Sequence, residues 1–127
     1  MKPLTEEWVS KAEDDYVVAV KMFRARKKPV YDAVCYHAQQ CAEKYLKAVL
    51  QEYDYPIPRT HKLLELLKLV KQVDVSVEIL LPDLLVIDQL SVNIRYPGIS
   101  ADKEEAKMIL TALKPVRASL QRLLGIG

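Results

Sequence analysis

Glycine is scarce in this chain: three in 127 residues, two of them at the extreme C-terminus. A chain with so few glycines has no loop to cradle a phosphate, and neither GxGxxG nor GxxxxGKS/T is present. The GxSxG turn of a hydrolase and the HExxH pair of a metalloprotease are missing as well. There are two histidines and two cysteines, and their spacings do not assemble a four-ligand metal site, so no metal and no other cofactor is expected. Cys35 and Cys41 lie six apart on one expected helix, on different faces and without CxxC spacing, which predicts free buried thiols in a reducing cytoplasm. No apolar run approaches the roughly 18 residues of a membrane span. The longest apolar region, around Ile79 to Leu90, is broken by Pro82, Asp83 and Asp88. The N-terminus lacks the apolar core of a secretory signal. A net charge of +2 is too small to imply nucleic acid by itself.

What the chain does have is hydrophobic residues at helical spacing. Half the residues are hydrophobic and 28% are charged, rich in Leu, Val, Ala, Lys and Glu, as in an ordinary folded domain. Residues 1–127 fit a single domain, all-α, an antiparallel helical bundle of about five helices. Thr5 is the expected N-cap of the first helix, which carries Trp8, Ala12, Asp15, Tyr16, Ala19 and Phe23 at three- and four-residue steps. Asp15 lies inside that stripe, so its carboxylate needs a partner on a neighbouring helix. Arg24, Arg26, Lys27 and Lys28 then close the helix ahead of Pro29, as a solvated basic loop or as a patch facing an anion or an acidic partner.

A second helix from about Val30 to Tyr53 has one apolar face, with Val34, Ala38, Cys41, Tyr45 and Ala48 or Val49. Another row, His37, Gln40, Lys44, Lys47 and Gln51, is either solvated or offers donors to an anion or a partner protein. Pro56 and Pro58 mark a connection, after which Thr60 is expected to cap a helix holding Leu63, Leu66, Leu67 and Val70, with His61 at its start. Pro82 predicts a short turn near Val77 to Leu81 and then a helix ending at Arg95, Tyr96, Pro97 and Gly98. The last helix starts near Ser100 to Asp102 and contains Pro115, which should kink it.

Three segments taken together are specific: His37-Ala38-Gln39-Gln40-Cys41-Ala42-Glu43-Lys44-Tyr45-Leu46-Lys47-Ala48, then Pro58-Arg59-Thr60-His61, then Arg95-Tyr96-Pro97-Gly98. With the Trp8 helix before them, they make nearly the whole chain resemble the HEPN domain family. The resemblance implies a bundle similar to the C-terminal domain of kanamycin nucleotidyltransferase and a symmetric homodimer. Members are often encoded beside a minimal nucleotidyltransferase, and some such pairs look like toxin and antitoxin. Many members are RNases whose motif is an Arg followed, after four to six residues, by His. Here the corresponding positions after Arg95 are Ser100, Ala101 and Asp102, and both histidines lie upstream.

The expectation is therefore a non-catalytic protein with no catalytic residues of its own, binding a minimal nucleotidyltransferase. The alternative is a nucleotide- or RNA-binding module in which Lys44, Lys47, His61 and Arg95 hold phosphate and Tyr96 stacks on a base. An RNase would need Arg95 to work with His61 or His37 instead of a histidine in the motif.

Overall fold

The computed structural model covers all 127 residues. Five α-helices form the bundle: α1 (Pro3–Arg24), α2 (Tyr31–Glu52), α3 (Leu63–Val73), α4 (Leu81–Asn93) and α5 (Lys103–Leu123). A single 3-10 segment, Val75–Leu80, joins α3 to α4, as Pro82 at the start of α4 requires. No helix is long and apolar enough to cross a membrane.

α2 is the centre of the fold. It packs against α1, α3, α4 and α5, and from Cys41 to Leu50 every residue except Lys44 is buried. Tyr45, Leu46 and Leu50 from α2 join Leu63 and Leu66 of α3, Leu84 and Ile87 of α4, and Ile109, Leu113 and Leu120 of α5 in one continuous core. α1 and α2 run antiparallel: the backbone N–H of Lys2 donates to Glu52 Oε1 at 3.0 Å, so the start of one helix lies at the end of the other. α2 and α5 run the same way. Asp32, early in α2, accepts from Ala101 N–H just ahead of α5 at 2.6 Å, and Tyr45 meets Gln121 late in both helices at 3.0 Å.

The helix ends follow local chemistry, with two departures from the expected caps. α1 starts at Pro3 rather than after Thr5, because proline suits the first helical position and the Glu52 carboxylate already holds Lys2 N–H. Thr5 is thereby carried into the first turn and buried. α3 begins at Leu63, and Thr60 stands just outside it, accepting from Lys62 N–H at 3.2 Å and donating to Glu65 at 2.8 Å. α2 stops at Asp54, whose positive φ of 60° lets Tyr55 N–H return to Leu50 O at 2.9 Å. α5 continues through Pro115, which occupies an exposed position.

Both cysteines are free and buried, and burial pushes the Cys35 thiol up to about 12 and raises the Cys41 thiol too. Since Leu46 is fully enclosed at the meeting of several helices, Leu46→Ala should cost about 2–5 kcal/mol. Urea unfolding monitored by circular dichroism measures this, and a loss below about 1 kcal/mol would mean the site collapses around the smaller side chain.

Candidate functional site

Because α2 is enclosed, the polar residues along it cannot all reach water. They are sorted into three clusters, each tied to a different helix.

The first joins α1 to α2. Asp15, with a side chain only 10% exposed, accepts from His37 Nδ1 at 2.7 Å and from Lys44 Nζ at 2.6 Å. His37 and Lys44 are two turns apart on one face of α2, so a single carboxylate can bridge them. Tyr36 packs edge-on against the His37 ring. The sequence-based expectation that Asp15 bonds to a neighbouring helix is met.

The second joins α2 to the segment ahead of α3. Gln39, Glu43 and Lys47 recur at four-residue steps along α2. Lys47 Nζ donates to Glu43 Oε2 at 3.0 Å, and His61 Nδ1 donates to Glu43 Oε1 at 3.0 Å. Gln39 Nε2 donates to His61 O at 3.0 Å, and Gln40 Nε2 to Gln39 Oε1 at 2.8 Å. Burial raises the Glu43 pKa, but the hydrogen bonds from Lys47 and His61 outweigh it and hold the carboxyl below its ordinary value. The Lys47 side chain, 8% exposed, also lies 5.8 Å from the Trp8 ring.

The third cluster joins α1, α2 and α5. Glu13 accepts a forked pair of bonds from Arg117 at 2.8 and 2.5 Å and a third from Tyr45 Oη at 2.6 Å. Arg117 lies 4.1 Å over the Tyr16 ring. Hydrogen bonding from Arg117 lowers the Glu13 pKa despite partial burial.

The residues first picked out as anion contacts therefore stand in three places. Lys47 and His61 are brought together by Glu43, while Lys44 belongs to the Asp15 cluster with His37. Both lysines have a carboxylate partner, so the row is not a set of unpaired cations, and of its five residues only Lys47 is buried while the others are partly exposed. Arg95 and Tyr96 lie just beyond α4, exposed, and Arg95 makes no ion pair. Its guanidinium acts at a distance on Asp88, whose charged form is also favoured by the backbone N–H groups of Leu63 and Leu64 at the start of α3.

Sequence reasoning passed over Glu13, Arg117, Gln121 and Asp88. The signals for two of them were present: a tyrosine in an apolar stripe needs a partner for its hydroxyl, and an aspartate in the most apolar helix needs donors.

A carboxylate only accepts, so Nδ1 of each histidine carries the proton and Nε2 is left as an acceptor. An imidazole oriented in this way can move a proton, yet no Ser, Thr or Cys side chain bonds to either ring. No group of His, Cys, Asp and Glu is arranged to hold a metal ion. After Arg95 the chain turns through Gly98 at φ +84°. Asp102 then caps α5, accepting from Glu105 N–H at 2.8 Å while Glu105 Oε1 accepts from Asp102 N–H at 3.1 Å.

The model of the HEPN domain matches residues 5–123, from α1 to the end of α5. The chain belongs to the HEPN domain family. No curated protein and no solved structure matches it. All three positions that could hold the histidine of the HEPN nuclease motif are occupied by other residues, one of them the α5 cap.

Desolvation by burial raises Asp88 to about 6, against the pull of Leu63 N–H and Arg95. For an acid whose folded value lies above its unfolded value of about 3.9, the folded state is favoured at low pH. That contribution is lost as pH rises from about 4 through about 6. Asp88→Asn keeps an acceptor for the α3 amides and removes the titration. Urea midpoints at pH 4.5 and pH 7 should therefore fall less, or rise more, in Asp88→Asn than in the wild type. Parallel pH profiles would show that Asp88 does not titrate in this range.

Proposed function

We propose that this protein is a non-catalytic HEPN subunit that forms a homodimer and binds a minimal nucleotidyltransferase, as one half of a toxin–antitoxin-like or accessory pair. The observation that carries this reading is the segment after Arg95. Where the family's RNases have a histidine able to move the 2′-hydroxyl proton, this chain has Ser100, Ala101 and Asp102, the last a carboxylate committed to starting α5. An aspartate engaged in a capping box is a weak base at neutral pH. With no reacting group of its own at that point, binding is the function the site can best perform.

The surface of α4 supports association. Its sequence, LPDLLVIDQLSVN, is apolar on nearly every side, yet only Leu84, Ile87 and Ser91 are buried. Leu81, Leu85 and Val92 recur at four and seven residues and are exposed, with Tyr96 and Ile99 continuing beyond the helix end. A helix apolar all round in a water-soluble bundle is normally covered on its second face.

The wild type should sediment as a dimer at micromolar concentration, and Leu85→Lys should move it towards monomer. Analytical ultracentrifugation of both reads this directly, and a monomeric wild type would remove the self-association. Co-expression with a nucleotidyltransferase encoded beside the chain should yield a complex that survives gel filtration at micromolar concentration. Failure of the two proteins to associate would count decisively against the partner reading.

A second reading, a nucleotide- or RNA-binding module, draws on the exposed and unpaired Arg95 beside an exposed Tyr96. Titration with ATP, GTP and a short RNA at two salt concentrations should separate it from the first. Saturable binding abolished by Arg95→Ala would favour it, and weak binding indifferent to that substitution would remove it.

A further inference from the structure

Between the C-terminal half of α1 and the N-terminal half of α5 lies a trough of about 230 Å³. Its floor is apolar, built from Tyr16, Val20, Phe23 and Leu110, and Arg24, Lys107 and Lys114 stand at its edges. None of these three cations pairs with a carboxylate anywhere in the chain, although eight other ion pairs form. Arg24 leads directly into Arg26, Lys27 and Lys28, which are exposed and equally unpaired. No acidic residue lines the trough. Lys107 also lines the neighbouring groove between α4 and α5, where Asp83 and Glu104 stand. Three unpaired cations thus line one apolar depression, and three more follow Arg24 in the sequence.

Such a surface selects a ligand with an apolar body and negative charge, and size and ring geometry narrow the choice. Pockets that enclose small molecules run from about 300 to 1,000 Å³. A trough of 230 Å³ falls short of that range, yet has room for one or two apolar side chains. The two rings in the floor are already engaged, Phe23 with Tyr31 at 6.4 Å and Tyr16 beneath Arg117 at 4.1 Å. They are therefore poor platforms for successive stacked bases, which single-stranded nucleic acid requires.

We infer that the α1–α5 trough is the docking site for an acidic amphipathic segment of the partner nucleotidyltransferase. Its apolar residues lie on the Val20–Phe23–Leu110 floor and its carboxylates meet Arg24, Lys107 and Lys114. This rests on the partner reading given above. The mode is an apolar segment laid in a groove between helices, with the cations around it speeding encounter and rejecting basic sequences.

The test uses the full-length chain and the nucleotidyltransferase encoded beside it, titrated calorimetrically at about 50 and 300 mM salt. The lysines of Lys107→Glu/Lys114→Glu are exposed, and circular dichroism confirms that the variant is folded. The double variant should bind roughly tenfold or more weakly at low salt, with the gap from wild type narrowing at high salt as the charges are screened. Lys68→Glu, on the exposed side of α3, should bind as the wild type does. Equal binding by wild type and double variant would exclude the trough while leaving the partnership intact. The absence of such a neighbour, or no binding by the wild type at micromolar concentration, would overturn the partnership and this inference together. Binding of a fluorescein-labelled 12-nucleotide RNA that the double variant loses, with nucleotidyltransferase binding unchanged, would assign the trough to RNA and overturn the proposal.

Discussion

The enclosure of α2 is the constraint on which the rest of the molecule depends. A helix packed against four others keeps only a narrow, partly solvated strip, so most polar side chains on it must find their partners inside the protein. The cost of failing is large, because an unpaired buried charge weighs far more than the pair itself contributes. Glu43 meets this by accepting from Lys47 on its own helix and from His61 ahead of α3. Lys44 and His37 meet it through Asp15 on α1, and Tyr45 through Glu13, which also gathers Arg117 from α5. Each neighbour of α2 so linked is joined to it by at least one directional polar contact. Apolar packing alone would permit several registers. The polar clusters are best understood as the pins that hold the bundle's alignment.

This view separates identity from activity. The run from Gln39 to Lys47 is the most distinctive stretch of the chain, and its polar side chains are occupied in holding helices together. Residues that make a family recognisable need not touch a ligand. The positions still free to meet something else lie elsewhere: the exposed stripe of α4, Arg95 and Tyr96 beyond it, and the basic edges of the α1–α5 trough. The side chains without a partner in the chain are accordingly spread over its periphery.

Much of the fold could be read from the chain. Apolar residues at three- and four-residue steps mark all five helices, and Pro29, Pro56, Pro58, Pro82 and Pro97 mark their separations. The caps were less legible. Thr5 and Thr60 have the chemistry of caps, but Glu52 reaches Lys2 from fifty residues away and overrides local preference. The site was least legible, for a simple geometric reason. His37, Gln40, Lys44, Lys47 and Gln51 have the same spacing whether they face water or Asp15 and Glu43, and periodicity reports which face a residue occupies without saying what covers it. Asp88 was hidden likewise, since the backbone N–H groups that act on its carboxyl, those of Leu63 and Leu64, lie on another helix.

Asp102 constrains what this lineage can become. A histidine at that position would restore the spacing of the nuclease motif after Arg95. It would also dissolve the reciprocal pair between Asp102 and Glu105, leaving the first turn of α5 without its cap at a cost of about 1 kcal/mol. At Asp102 a motif histidine and an intact helix start are thus opposed demands, a conflict that Ser100 and Ala101 do not carry.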